Sequence, residues 1–292
     1  PGDPEKETWA SLTKAAYQGG VVAVCDMPNT KPPTLDRGAV LEKAACARAA
    51  GIDFKLYLGV TIDNVDDLAE LLGDPELPIC GLKVYYGHST GGHVFSDLGH
   101  LARALATRPD VMIAFHSEDQ CTVDHNESVL LPQGQNLTTP ASFKVHSDIR
   151  SSEAALVATR AIMEWAEKHQ RRIHLAHVST PAEMAVLETA RHRGVRVTSE
   201  VCPHHLLLST ADYPRLGALL KMNPPVRSPE EVAELGGFFK SGVIDCFATD
   251  HAPHLLSEKQ RQGYHACPSG VPSIEFFAPL LFKAADTFGL GY

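Results

Sequence analysis

The stretch Arg172–Cys202 reads RIHLAHVSTPAEMAVLETARHRGVRVTSEVC. It opens on an apolar run, Arg172–Val178, enters a helix-period segment at Pro181–Arg193, and after Gly194 returns to a second apolar run, Val195–Cys202. Strand, helix and strand within roughly thirty residues make a unit that joins two parallel neighbours through a crossover helix. Both strands are apolar over nearly their whole length, as strands covered on both faces must be.

The same unit repeats outward in both directions. Strand candidates lie at Val21–Met27, Asp53–Val60, Ile79–Tyr86, Val111–His116 and Val243–Asp250. Amphipathic segments separate them at Asp36–Ala50, Leu98–Thr107, Ser152–His169 and Pro229–Lys240, with a closing helix from Ser273 to about Asp286. Seven strand–helix units are thus visible, and a helix-like stretch, Glu5–Gln18, precedes the first strand. A helix in that place follows a strand of its own, so the register predicts an eight-stranded (β/α)8 TIM-type barrel whose first strand lies upstream of Pro1. A doubly wound sheet would instead carry a glycine-rich phosphate loop after an early strand, and this chain has none.

Composition agrees with an α/β reading. The 292 residues, 44% hydrophobic and 21% charged, suffice for one domain over residues 1–292, here incomplete. A net charge of −9 argues against a nucleic-acid surface, which would show basic patches, and no apolar run is long enough to span a bilayer. Seven cysteines, Cys25, Cys46, Cys80, Cys121, Cys202, Cys246 and Cys267, form no CxxC pair. They are expected as buried free thiols in a reducing, cytoplasmic setting. Pro1 in place of Met, without a signal peptide, marks a fragment or a processed chain.

In a barrel of this type the chemistry stands at the carboxyl ends of the strands. Those ends carry Asp26 and Asn29, then Thr61, Lys83, His116, His177, Glu200 and Asp250. A lone histidine closing an apolar strand, such as His116, is more often a hydrogen-bonded core residue than a ligand. His174 and His177 compete for one inward position, because residues three apart on a strand face opposite sides, and the more carboxyl-terminal His177 is favoured. Lys83 lies between Leu82 and Val84, where a snorkelling or paired lysine is the bland reading. Burial there lowers the pKa, and a neutral amine takes up carbon dioxide to give a carbamate, a carboxylate on a long arm. Asp250 has the bland alternative of a helix N-cap. Histidine, histidine, lysine and aspartate on four strand ends together favour a metal site. Ser117–Arg150 lacks clear periodicity, is too long for an ordinary connection, and is expected as a functional loop over that face.

Several segments in order resemble the dihydroorotase branch of the amidohydrolase superfamily, the cyclic amidohydrolases. They are PGDPEKETWASLTKAA from Pro1, VCDMPNTKPPT from Val24, GLKVYYG from Gly81, HSED from His116, HLAHVST from His174, EVCPHHLLL from Glu200, KMNPPVR from Lys221, ATDHAPH from Ala248 and PSGVPSIE from Pro268. The resemblance implies a metal-dependent hydrolase barrel with two zinc ions bridged by carboxylated Lys83. His116 and His177 would complete the more buried metal site. Asp250 would ligate the more exposed zinc and carry the proton. Asn29, Asn223, His254 and the backbone near Gly270 would hold the substrate. The implied reaction is the reversible hydrolysis of L-dihydroorotate to N-carbamoyl-L-aspartate in pyrimidine biosynthesis, in a homodimer that associates in some relatives with aspartate transcarbamoylase. The first-strand His-x-His and following arginine of that family have no counterpart here, since His88, His93 and His125 are not so spaced, and the terminal β-sandwich segments are missing too. A non-catalytic partner of aspartate transcarbamoylase and a hydantoinase or allantoinase are the alternatives.

Overall fold

The structure, a computed structural model, describes residues 3–88, 94–131, 137–261 and 263–291. His93 and part of the Ser117–Arg150 segment, residues 132–136, lie outside them. Seven strands form one parallel α/β sheet in chain order: β1 (Ala23–Asp26), β2 (Asp53–Gly59), β3 (Ile79–Tyr85), β4 (Met112–His116), β5 (Arg172–Leu175), β6 (Arg196–Val201) and β7 (Cys246–Phe247). Every pairing is between consecutive strands. The sheet curls as the wall of a TIM-type barrel with its crossovers outside.

The crossovers begin with α1 (Trp9–Gln18), ahead of β1, and α2 (Arg37–Ala50). Next come α3 (Leu68–Leu71), α4 (Leu98–Ala104), α5 (Gln120–Leu130), α6 (Val145–Ile149), α7 (Ser152–His169) and α8 (Pro181–His192). The rest are α9 (Pro203–Leu207), α10 (Tyr213–Leu216), α11 (Pro229–Ser241), α12 (Leu256–Lys259) and α13 (Phe277–Thr287). Local chemistry sets their ends. The Ser151 side chain accepts from Ala154 N to start α7, which closes with Lys168 and His169 in its last turn, where cations favour the helix dipole. Thr180 and Glu183 form a capping box at α8, with Pro181 at its first position.

Register sorts the strand residues onto two faces. Leu58, Leu82, Ile113, Ile173 and Val197 lie side by side across five strands, all buried in the large apolar core under the helices. The next residues along, Gly59, Lys83, Ala114, His174 and Thr198, therefore share the opposite, inward face. The interior wall is the polar one.

Three expectations change. The last strand, read as Val243–Asp250, reduces to Cys246–Phe247; Ala248 N still donates to Val201 O (3.2 Å), and beyond it the chain leaves the sheet. Ser117–Arg150 is no irregular loop: the Asp119 side chain accepts from Thr122 N and starts α5, and a 3-10 turn at Pro140–Lys144 leads into α6. All seven cysteines are free, but only Cys202 and Cys267 are buried. Cys46 and Cys121 sit on the outer sides of short amphipathic helices, and Cys25 and Cys246 on the two end strands of the sheet. Among the described residues no helix is long and apolar enough to cross a membrane.

A second apolar cluster roofs the carboxyl end of the barrel. Val123, Leu131, Phe143, Ile149, Tyr213, Leu220, Met222, Val226 and Tyr264 meet there, drawn from the segments after β4, β6 and β7. Polar bonds stitch it: His146 Nε2–H donates to Met222 O (2.8 Å), and its Nδ1 accepts from the Tyr264 hydroxyl (2.7 Å).

At the opposite end of the barrel, one buried guanidinium closes α4. Arg171 donates to Ala102 O (3.0 Å), Leu105 O (2.9 Å) and Arg108 O (3.2 Å). Arg171→Met is expected to lower unfolding free energy by about 2 kcal/mol, since it strands buried carbonyls at a helix end. Denaturant unfolding checks this, and a loss below about 0.5 kcal/mol would assign α4 another anchor.

Candidate active site

Lys83 stands mid-wall on β3 with 2% of its surface exposed. Burial is the main cause that pulls its ammonium down, to about 8, against the opposing pull of Glu200, Asp250 and Cys202. No salt-bridge partner meets its Nζ among the described residues; the ammonium faces the Tyr85 ring at 5.3 Å from the centroid.

His116 ends β4 with no exposed surface. Its Nδ1 and His177 Nε2 lie 3.1 Å apart as one hydrogen bond, with the rings edge to face at 4.9 Å. On its other side, Nε2 lies 3.0 Å from Glu118 Oε2 without hydrogen-bond geometry, so that contact is electrostatic and the nitrogen stays unsatisfied. Burial, and then Lys83 nearby, keep His177 neutral far below the ordinary imidazole range. His116 is lowered chiefly by burial as well. Two neutral imidazoles with nitrogens converging are what a cation site requires.

His177 reaches this position through its backbone. With β5 ending at Leu175, His177 takes φ 39°, in the left-handed region. The alternation rule that set His174 against His177 lapses there, and both turn inward. His174 shares the face of Lys83, accepting from Thr198 Oγ1 at Nδ1 (2.9 Å) and donating from Nε2 to Glu200 (3.0 Å).

Asp250 also takes a left-handed conformation, φ 44°. It caps no helix, for α12 starts only after Leu255. Burial raises its carboxyl to about 6, with Lys83 opposing the shift. The flanking chain is fixed on both sides. Ser273 Oγ donates to Thr249 O (2.5 Å), His251 Nδ1 accepts from Ser273 N (3.0 Å), and His251 Nε2–H donates to Glu7 (3.0 Å).

Lys83 thus acts electrostatically on each of the other three, His116, His177 and Asp250, and His116 acts on His177 as well. Two neutral imidazoles, a carboxylate and an amine able to become a carbamate are nitrogen and oxygen donors of the kind zinc takes.

The remaining expected residues are placed as follows. Asn223 has its Oδ1 buried without a partner among the described residues. His254 accepts from Lys6 Nζ at Nδ1 (3.0 Å) and donates from Nε2 to Ser269 O (2.9 Å). Gly270 has φ 140°, and a Cβ there would lie 2.6 Å from Ala252 O. Its N–H donates to Lys221 O (2.9 Å), which ties the PSG segment to KMNPPVR two residues before Asn223. Asn29 lies after β1 and is half-buried. Of the other strand ends, Asp26 pairs with Lys43 (2.7 Å), and Thr61 closes a turn on Asn64.

Two features escaped the sequence reading. Glu118 is fully enclosed; burial opposes its charge, but Arg150, His116 and Arg227 hold its carboxyl at about 2. Arg150 bonds both Glu118 and His88 O. The HSED tetrapeptide was the available signal, but the arginine comes 32 residues later. The other feature is two groups of possible ligands, Cys202 with His204 and His205, and His174 with Glu200 and Cys246, each with its atoms within 4.8 Å of one another.

No protein-family model matches the chain. Among curated proteins, dihydroorotases of Methanosarcina acetivorans and Halobacterium salinarum are 35% and 38% identical to it, over 97% and 100% of its length. The chain spans 60% and 65% of those two proteins. A multifunctional protein CAD from Squalus acanthias is 33% identical over 97% of the chain, which corresponds to 11% of that protein. Solved structures share the fold. An L-hydantoinase (dihydropyrimidinase) from Arthrobacter aurescens superposes with TM-score 0.83 at 23% identity, covering 94% of this chain and 60% of its own. A Saccharomyces cerevisiae dihydroorotase gives 0.76 at 19%, covering 96% and 74%.

Lys83 sets a stability prediction for the metal-free protein. Its folded pKa, about 8, lies below the ordinary 10.5. Between these values the unfolded chain holds a proton that the folded chain has released, so stability rises with pH across that window and is lowest below it. Lys83→Met is expected to stabilise the metal-free fold at pH 7 by roughly 3 kcal/mol and to flatten that rise. Urea unfolding at pH 7 and pH 10 reads both; destabilisation by methionine would mean that the ammonium is well solvated.

Proposed function

We infer that this chain is the barrel of a dihydroorotase-family cyclic amidohydrolase and that it hydrolyses the ring amide of L-dihydroorotate to N-carbamoyl-L-aspartate, reversibly. The observation that carries the reading is a nearly solvent-free lysine, without a salt-bridge partner among the described residues, beside two neutral imidazoles and a carboxyl raised to about 6. Buried groups of this kind are costly unless a ligand uses them. The curated relatives named dihydroorotase favour this ring over hydantoin or allantoin.

In this reading Lys83, as its carbamate, together with His116, His177 and Asp250 would hold two zinc ions, with His116 and His177 on the more enclosed side and Asp250 on the other. When bound, the pair supplies an acidified water and a polarised carbonyl. The protein supplies the rest. Asp250 accepts the proton of the attacking water as a new C–O bond forms. It then delivers that proton to the ring nitrogen as the C–N bond breaks, so one carboxyl serves as base and acid in turn. Asn29, Asn223 and His254 hold the substrate beneath the roof, with Gly270 allowing the backbone to close on the ring. The imidazole of His254 already has a set tautomer, Nδ1 accepting from Lys6, and burial followed by Lys6 holds its pKa down. Association with aspartate transcarbamoylase and a homodimeric state are further proposals for the complete protein.

Two outcomes check this. The complete protein, assayed on dihydroorotate, hydantoin and allantoin, is expected to prefer dihydroorotate; preference for another ring would reassign the substrate, and no turnover of any would favour a scaffold. In the hydrolytic direction kcat/KM should fall on the acid side, because the base form of Asp250 is the active one, and a cation beside it should move that fall below the value of about 6 set by burial in the metal-free site. Asp250→Asn should keep the fold and lower kcat by at least about a hundredfold, and unchanged turnover would remove Asp250 from the proton path.

A further inference from the structure

We propose that Glu200 is a positioning residue: its carboxylate holds His177 in the left-handed turn that aims the imidazole at His116 and Lys83. This rests on the reading of His177 as a cation ligand given above.

Glu200 lies on β6, next to the end of β5, and grips that end at two points. Its own carbonyl accepts from Val178 N (2.8 Å), and its Oε1 accepts from His177 N (3.2 Å). The second bond is the unusual one. A strand that continued normally would offer His177 N to a backbone carbonyl of its neighbour. Here the His177 N–H meets a side-chain acceptor instead, and the chain leaves it at φ 39°.

The other carboxylate oxygen is fixed in turn. Oε2 accepts from His174 Nε2–H (3.0 Å), His174 Nδ1 accepts from Thr198 Oγ1 (2.9 Å), and β5 and β6 hold His174 opposite Thr198 in register. The chain Thr198, His174, Glu200, His177 therefore runs along the inner wall and ends at a ligand. The neutral His174 ring carries its hydrogen on Nε2, the nitrogen that faces the carboxylate. The nearby Cys246 thiol donates elsewhere, to Ser199 O (3.7 Å). Groups that orient a ligating histidine through its ring are familiar; here the orientation is imposed through the backbone.

The consequence is a specific pattern of zinc affinity in the complete protein, measured by competition with a chromophoric chelator. Glu200→Ala should weaken binding by roughly ten- to a hundredfold, while the melting temperature of the zinc-free protein changes little. Glu200→Gln should restore affinity to within a few-fold, since an amide oxygen can accept from His177 N while its NH2 faces His174 in the opposite tautomer. Glu200→Asp, with the carboxylate withdrawn by one methylene, should behave like the alanine variant and serves if alanine does not fold. Wild-type affinity in Glu200→Ala or Glu200→Asp, with His177→Ala weakened, overturns the positioning role and leaves the ligand reading intact. If His177→Ala binds zinc as the wild type does, the ligand reading itself fails.

Discussion

Enclosing the side chain of Lys83 inside the barrel wall is the constraint around which the rest is arranged. An ammonium loses its hydration there, and the carboxyl groups nearby, Glu200 and Asp250, compensate only in part. The same seclusion keeps His116 and His177 neutral and raises Asp250. A site built this way is costly for the empty fold and suited to cations: Lys83, His116 and His177 are pushed toward the neutral form that offers a lone pair, and the Asp250 carboxylate, opposed by burial, is the charge a cation would stabilise. The stability lost is the condition of the chemistry, as is common where a fold carries a reactive centre.

Backbone strain marks the same rim. Among the described residues three non-glycines have positive φ; two are His177 and Asp250, and Gly270 at φ 140° packs against the loop that Asp250 begins. Such conformations persist only where surrounding bonds fix them. Glu200 does so for His177, and Glu7, His251 and Ser273 do so for the Asp250 segment. The roof of the barrel extends this fixing to Met222, next to Asn223, through His146 and Tyr264. Segments hundreds of residues apart in the chain thereby converge without a continuous element joining them.

The alternation of apolar runs and helix-period segments was enough to read the parallel barrel wall, because it reflects two-sided burial that each strand experiences locally. The ring of polar residues at strand ends was legible for the same reason, and it placed Lys83, His116 and His177 on one wall. What was not legible depended on single torsions and distant partners. Period-two reasoning set His174 against His177, yet one left-handed residue admits both. The last strand was read too long because the apolar run through Phe247 leads straight into the ATDH segment; Ala248 N still bonds Val201 O on β6, but Thr249 O and His251 are held by Ser273 and Val271. The ion pair of Glu118 with Arg150 joins the β4 end to the end of α6, a relation no local pattern encodes. Helix α5 was hidden by its weak amphipathicity, with Val123 as its one buried residue.

The carbamate on Lys83 is the point on which the account turns, and it is directly observable. The complete protein, loaded with zinc in 13C-labelled bicarbonate, should show one carbamate carbon resonance by 13C NMR, absent from Lys83→Met. A zinc-loaded protein that lacks this resonance, or a Lys83→Met variant that keeps it, would contradict the proposed bridging role.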